Sequence, residues 1–392
     1  MTRAVIVGAS AAGLSTAEAL RRRHFDGDIV VIGEESGDMY DRPPLSKQVL
    51  CGEWDETRAL LFPRARLDKI GAELRLGTRA TGVDLDARSI RLADGDSVSY
   101  DELVIATGVR PRPFPGPGAE GEGVFMLRTL DDSQRLATAI RRHPHLLIVG
   151  AGFLGLEVAA TARKLGAEVT VIEPISEPLA SRLGQYTAGR LIELHRSSGV
   201  EIRPGVGVAS IMRPDGAVGA PLAGVQTSDG ELIEGDIVLV AIGCVPNVEW
   251  LQGSGLDLTD GVGCDSACQA APHVWAAGDV ARWYHPGLRQ SLRLEHRMNA
   301  SEQGAIVAAN ITGETRRFAP VPFFWTDHYA TKVQLAGVIP AGAVERSELE
   351  ADDSFVRTFW SEDRLVGVVG WNAAKAMMPF RQTLDLSEPA IA

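Results

Sequence analysis

Short apolar runs that end in glycine turns dominate the chain, and two of them share one layout. Ala4-Val5-Ile6-Val7 leads into Gly8-Ala9-Ser10-Ala11-Ala12-Gly13. Leu146-Leu147-Ile148-Val149 leads into Gly150-Ala151-Gly152-Phe153-Leu154-Gly155. A helix-length segment follows each turn, then a second apolar run that closes on an acid. These runs are Val30-Val31-Ile32-Gly33-Glu34 and Val169-Thr170-Val171-Ile172-Glu173. Apolar runs without polar alternation read as strands buried on both faces of a parallel sheet. Strand, glycine turn, helix, strand and acid, in that order, make a dinucleotide-binding unit. From Gly8 to Glu34 is 26 positions and from Gly150 to Glu173 is 23, near the ~20 of the general pattern.

The chemistry follows from the geometry such a turn imposes. Backbone N–H groups and the positive end of a helix dipole point at a pyrophosphate. Glycine removes the Cβ that would block its approach. The acid accepts hydrogen bonds from a ribose diol. In the first unit Ser10 stands at the middle glycine, a small departure that weakens that copy. A chain that binds two dinucleotides most simply passes electrons between them. Glu102-Leu103-Val104-Ile105-Ala106-Thr107-Gly108 and Asp236-Ile237-Val238-Leu239-Val240-Ala241-Ile242-Gly243 also repeat one pattern, which suggests a duplicated module.

Between the units lies Val109-Arg110-Pro111-Arg112-Pro113-Phe114-Pro115-Gly116-Pro117-Gly118, whose prolines exclude a helix or a central strand and make it a connector. Val274-Trp275-Ala276-Ala277-Gly278-Asp279 is a further strand and turn, with a helix expected over about 299–311. After residue 317 the pattern changes to β-like stretches at 332–337, 355–360 and 365–370. The fold class is therefore α/β, with two Rossmann-like dinucleotide-binding domains and a small α+β C-terminal domain.

Composition narrows the function classes. The 392 residues carry 45% hydrophobic and 23% charged positions and a formal net charge of −12. A nucleic-acid binder would want a basic surface, so that class is disfavoured. No apolar run reaches the ~18 residues of a membrane span, and the N-terminus lacks a signal pattern, so a cytoplasmic location is expected. Cys51, Cys244, Cys264 and Cys268 form no C-x-x-C pair. Buried thiols are a better reading for them than a metal site.

With these motifs in place, the chain resembles the FAD-dependent, NADH-using ferredoxin reductases of bacterial oxygenase and cytochrome P450 systems, within the glutathione-reductase-like flavoproteins. The most specific segment is Tyr40-Asp41-Arg42-Pro43-Pro44-Leu45-Ser46-Lys47. Read alone, it is a stiff charged turn. The resemblance implies that Arg42 contacts the nucleotide, Pro44 packs on the flavin and Lys47 lies near flavin N5. It pairs Lys47 with Glu157, which read alone is a first-turn helix acid. It places Gly278 and Asp279 at the ribityl chain, Thr107 and Gly108 against FAD, and Ile242 and Gly243 against NADH. Glu295 and His296 would meet the flavin pyrimidine edge, followed here by Arg297 where an aromatic residue is common. Pro322-Phe323-Phe324-Trp325-Thr326-Asp327 would put Trp325 near the flavin, with Phe323 and Phe324 in the core.

The implied partition is an FAD-binding domain at 1–108 and 241–316, an NADH-binding domain at 109–240 and a C-terminal domain at 317–392. Gly8, Ser10, Ala12, Gly13 and Glu34 fall to FAD. Gly150, Gly152, Phe153, Leu154, Gly155 and Glu173 fall to NADH. Glu173 would accept from a 2′-hydroxyl and repel a 2′-phosphate. Arg182 is either a phosphate contact or a solvated helix charge. No cysteine pair or single cysteine stands where the disulfide reductases and peroxidases of this fold carry theirs, so electrons would leave from the flavin.

The implied partner is a [2Fe–2S] ferredoxin serving a P450 or Rieske-type oxygenase. Such partners are acidic, so a local basic patch is needed, and Arg316, Arg317 and Arg297 are the candidates. A reductase of rubredoxin, monodehydroascorbate or a small oxidant stays open, as does a redox-sensing interaction protein like apoptosis-inducing factor. Monomer and homodimer also stay open.

Overall fold

The computed structural model describes residues 2–143, 145–214 and 221–384. The strand Arg3–Val7 lies inside a six-stranded sheet. Its neighbours on one side are Asp28–Ile32 and Glu73–Arg75, and on the other Glu102–Ile105, Val274–Ala276 and Gln269–Ala271. All pairings but the last are parallel. The apolar runs explain this burial on two faces. Ala4 and Ile6 pack with Leu14, Ala17 and Leu20 of the helix Ala11–Arg22. Val5 and Val7 pack with Ile90, Leu92 and Val98 of a small antiparallel sheet.

The second unit repeats the plan. His145–Val149 lies in an all-parallel sheet ordered Val200–Pro204, Glu168–Glu173, His145–Val149, Ile237–Val240, Val124–Phe125. Leu147 and Val149 meet Ile211, Val225 and Ile233 of another three-stranded antiparallel sheet. The duplication extends to single hydrogen bonds. Gly8 N donates to Ile32 O at 2.8 Å, and Gly150 N donates to Ile172 O at 2.8 Å. Ala106 N to Val7 O and Ala241 N to Val149 O are both 2.8 Å.

The chain passes between the two sheets twice, on Val109–Pro111 and Cys244–Pro246, and these short strands pair antiparallel. The connector's Phe114 is buried under the second sheet. The expected helix appears as Arg297–Ile311. It crosses Ala11–Arg22 so closely that a Cβ on Gly304 would lie 2.8 Å from Thr16 Oγ1.

The last segment forms a five-stranded antiparallel sheet ordered Phe323–His328, Thr331–Gly337, Arg364–Trp371, Ser354–Ser361, Val344–Ala351, covered by the helix Ala374–Thr383. Among the described residues, no helix is long and apolar enough to cross a membrane.

Candidate functional site

A cavity of about 780 Å³ opens where the first sheet's strands end, lined by Gly8, Ser10, Glu34, Arg42, Thr107 and Arg128 among others. That is the scale of a cofactor pocket, roughly 300–1,000 Å³. Gly8 has φ +124, and a Cβ there would lie 2.1 Å from Ala106 O. A Cβ on Gly13 would lie 1.9 Å from Gly8 O, so the helix sits flush on the turn. Ser10 is the helix N-cap yet makes no side-chain cap bond, and it borders the cavity. Glu34 is exposed at the rim, 3.8 Å from Arg79. The acid after it, Glu35, is also at the cavity. It accepts from Tyr40 Oη and, at 3.0 Å, from Arg42.

Arg42 also donates to Arg128 O at 2.5 Å, which leaves its Nε buried without a partner. Thr107 and Gly108 are braced by Asn247, whose Nδ2 donates to Thr107 O at 2.9 Å and whose N donates to Gly108 O at 3.0 Å. Gly278 N donates to Gln303 Oε1 at 2.8 Å, which fixes the turn that carries Asp279. Burial pushes the Asp279 carboxyl up, opposed by Arg128 at 3.4 Å.

The second cluster lies where three segments meet. Pro43–Ser46 forms a 3-10 turn with Pro44 buried. It delivers Lys47 Nζ to 2.8 Å from Glu157 Oε2 on the helix Phe153–Lys164. Both side chains are nearly buried, 13% and 10% exposed. Ser46 Oγ donates to the same oxygen at 2.6 Å. Thr326 Oγ1, from the C-terminal sheet, donates to Glu157 Oε1 at 2.7 Å.

Phe324 packs on Phe153, with ring centroids 4.4 Å apart, and on His296 at 5.3 Å. Burial pushes the His296 imidazole down to about 4, helped by the positive charge of exposed Arg182 and opposed by Glu295. Among the described residues His296 Nδ1 is buried without a partner. Glu295 itself accepts from Arg293 at 2.8 Å.

The second fingerprint repeats the first in detail. Gly150 has φ +108, and a Cβ on Gly155 would lie 2.2 Å from Gly150 O. A Cβ on Gly152 would meet nothing within 4 Å, and neither would one on Gly243. Open space therefore faces the turn where a pyrophosphate would come. Leu154 is exposed beside it, and Ile242 is partly buried. Glu173 is buried; its Oε2 accepts from Ala151 N at 2.7 Å and its Oε1 from Ile175 N at 3.0 Å.

Trp325 does not share a strand face with Thr326. Alternation along Phe323–His328 turns Phe324, Thr326 and His328 toward the ion pair, while Trp325 stacks on Phe323 with centroids 6.3 Å apart. Phe324, expected only as core, is the aromatic residue beside His296. Arg297 does not present a free charge: its Nε lies 2.5 Å from Asp41 Oδ1 and its Nη1 donates to Ser301 Oγ at 2.6 Å. Arg316 is exposed but ion-paired with Glu314.

The residues fit two dinucleotides. The first turn has the cavity, the glycine cradle and, among the described residues, an unpartnered donor at Arg42. The second has its own cradle and an open approach. All four cysteines are free thiols. Burial pushes Cys264 up to about 12 and Cys268 well above its usual value. Cys244 is pushed up to about 12 by burial and then by Glu295.

Comparison with known proteins gives the same picture. The family model for pyridine nucleotide-disulphide oxidoreductases matches residues 2–304, and the reductase C-terminal model matches 323–390. Rhodocoxin reductase from Rhodococcus erythropolis is 36% identical over 98% of this chain and 90% of its own. The ferredoxin–NAD(+) reductase component of the anthranilate 1,2-dioxygenase system of Burkholderia cepacia is 39% identical over 86% of this chain and 82% of its own. Putidaredoxin reductase, solved in covalent complex with putidaredoxin, superposes with a TM-score of 0.93 at 29% identity over 98% of this chain and 93% of that one. The ferredoxin reductase of the CYP199A2 system of Rhodopseudomonas palustris gives a TM-score of 0.91 at 32% identity, covering 99% and 98%. On its sequence, its paired nucleotide turns and its C-terminal sheet, the chain belongs to the pyridine nucleotide-disulphide oxidoreductases, in the group that ends in a reductase C-terminal domain.

Proposed function

We propose that this protein takes electrons from NADH onto bound FAD and delivers them one at a time to a [2Fe–2S] ferredoxin that serves a P450 or Rieske-type oxygenase. One observation carries the reading: Lys47 is ion-paired with Glu157, two residues past the last glycine of the second fingerprint, and no cysteine lies on the Tyr40–Lys47 turn that carries the lysine. Bound FAD supplies the conversion of a two-electron hydride into single electrons. The residues do the rest. Residues 1–108 and 241–316 hold FAD, with Gly8, Ser10, Ala12 and Gly13 at its pyrophosphate, Glu34 at its ribose and Asp279 at its ribityl chain. Residues 109–240 hold NADH, and Glu173 selects against a 2′-phosphate. Lys47 Nζ keeps a positive charge at the flavin's reducible edge, and Glu157 fixes where that charge sits.

The docking face takes Arg316 and Arg317, nine and eight positions before Trp325. Arg297 is left out because its side chain is mostly covered, 22% exposed, and tied to Asp41, whereas Arg316 is 51% exposed beside Glu314. The protein acts in the cytoplasm, where NADH is available. The test is NADH-driven cytochrome c reduction with a panel of ferredoxins. The purified protein should be yellow, and turnover should depend on one ferredoxin class. A protein that takes up no FAD, or that turns over equally with no ferredoxin present, overturns the reading.

A further inference from the structure

The carboxylate of Glu157 meets three donors, and they divide its two oxygens between them. Lys47 Nζ lies 2.8 Å from Oε2, and Ser46 Oγ donates to that same oxygen at 2.6 Å. Thr326 Oγ1 donates to Oε1 at 2.7 Å. A carboxylate in an ion pair has no proton to give, so the proton in that contact is the threonine's. The donors come from distant parts of the chain. Ser46 and Lys47 end the turn that starts at Pro43, and Thr326 lies in the strand Phe323–His328 of the C-terminal sheet.

The Thr326 hydroxyl is itself held in place. Thr326 is 0% exposed, and its backbone is in register with Val333. His328 Nε2 lies 2.9 Å from the same hydroxyl oxygen. That ring is fixed in turn by the Leu156 backbone and by His195 Nε2, 3.2 Å from His328 Nδ1. The other side of the pair is tied down as well. Thr161 Oγ1 lies 2.8 Å from Ser46 O and 3.1 Å from Glu157 O, which joins the turn to the helix Phe153–Lys164.

A glutamate offers an ammonium two equivalent oxygens, and the flexible four-carbon stem of a lysine can follow either. Thr326 fills Oε1, so Lys47 is left with Oε2, where it is found. Without the hydroxyl, Oε1 would lose its donor inside the protein, which costs free energy. Lys47 relieves that cost by moving to Oε1 or by bridging both oxygens.

We propose that Thr326 is a positioning residue for flavin reduction: its hydroxyl holds one oxygen of Glu157, so that the Lys47 ammonium stays on the other. The inference rests on the function proposed above, in which Lys47 stands at the reducible edge of FAD. It gives the C-terminal sheet a part in the reaction, exerted through Glu157 and Lys47. A displaced group acts steeply on rate, since a misplacement of about 1 Å can cost on the order of 100-fold.

The test variant is Thr326→Val, which keeps the shape and removes the donor. In its crystal structure Lys47 Nζ should bond Oε1 or both oxygens of Glu157. An ammonium still on Oε2 alone overturns the proposal, whatever the flavin does. In stopped-flow reduction the limiting rate should fall about tenfold, while the NADH concentration giving half that rate stays within about twofold. Thr326→Ser, which returns the donor, should restore the rate. A parent-like rate with valine, or a serine variant as slow as the valine one, overturns the proposal. A second background separates positioning from general support of the fold. Added to Lys47→Met, Thr326→Val should slow reduction by no more than about twofold further, because the group it positions is gone. A further loss as large as in the parent background shows general damage and overturns the proposal. Thr326→Ala carries the same measurements where the valine variant does not fold. A parent protein whose flavin NADH does not reduce overturns the functional reading, and the position of Lys47 in the variant crystal still decides the geometry.

Discussion

In the reaction proposed above, Lys47 and Glu173 serve opposite ends. Lys47→Met should retain FAD and slow flavin reduction by NADH about 100-fold, the scale of losing one oriented electrostatic group. Stopped-flow absorbance checks this, and reduction at the parent rate would leave Lys47 a surface charge. Glu173 stabilises its own turn through Ala151 N and Ile175 N. Replacing it with Ala would leave two N–H groups unsatisfied as well as removing charge. Glu173→Gln is the cleaner change. It should narrow the preference for NADH over NADPH at least tenfold, about 1.4 kcal/mol, read from kcat/KM with each nucleotide. An unchanged ratio would remove Glu173 from the specificity argument.

At the scale of elements, the two fingerprint turns make glycines of different kinds. Gly155 lies where helix and strand touch, so Gly155→Ala must move the helix and should cost about 1–3 kcal/mol of stability. Gly152 faces open space, so Gly152→Ala should keep the parent melting temperature while raising KM for NADH. Calorimetry and initial rates on the pair of variants separate packing from binding. The same contrast shows what was legible in the sequence. The parallel strands announced themselves because burial on two faces demands unbroken apolar runs. Val344–Ala351 did not, because it is an edge strand with Arg346, Glu348 and Glu350 exposed. Gln303, Asn247, Thr326, His328 and His195 gave no local signal either. Each is a polar residue bonded to a partner far along the chain, 169 positions away for Thr326 and Glu157.

For the whole molecule, buried neutral histidines set the acid limit. His195 and His328 are pushed down to about 3 and His296 to about 4, chiefly by burial, from an ordinary value of 6.5. The unfolded chain therefore binds protons below 6.5 that the folded chain refuses. The associated stability is whole above 6.5 and is lost as pH falls toward 4 and 3, by about 1.4 kcal/mol per unit for each histidine. The melting temperature should drop between pH 6.5 and 5. The double variant His195→Gln, His328→Gln should show a shallower drop, even if it starts lower. An equal slope in both proteins would mean that these rings do not govern the acid limb.

The antiparallel pairing of Val109–Pro111 with Cys244–Pro246 carries a consequence for how such proteins diversify. Everything between residues 112 and 243 enters and leaves through one narrow doorway, with its two ends side by side. A segment of that kind is a cassette. On the function proposed above, a counterpart that reads another nucleotide could take its place, provided it matches the apolar surface that Leu156, Leu183 and Leu191 share with Leu45, Leu50 and Phe359.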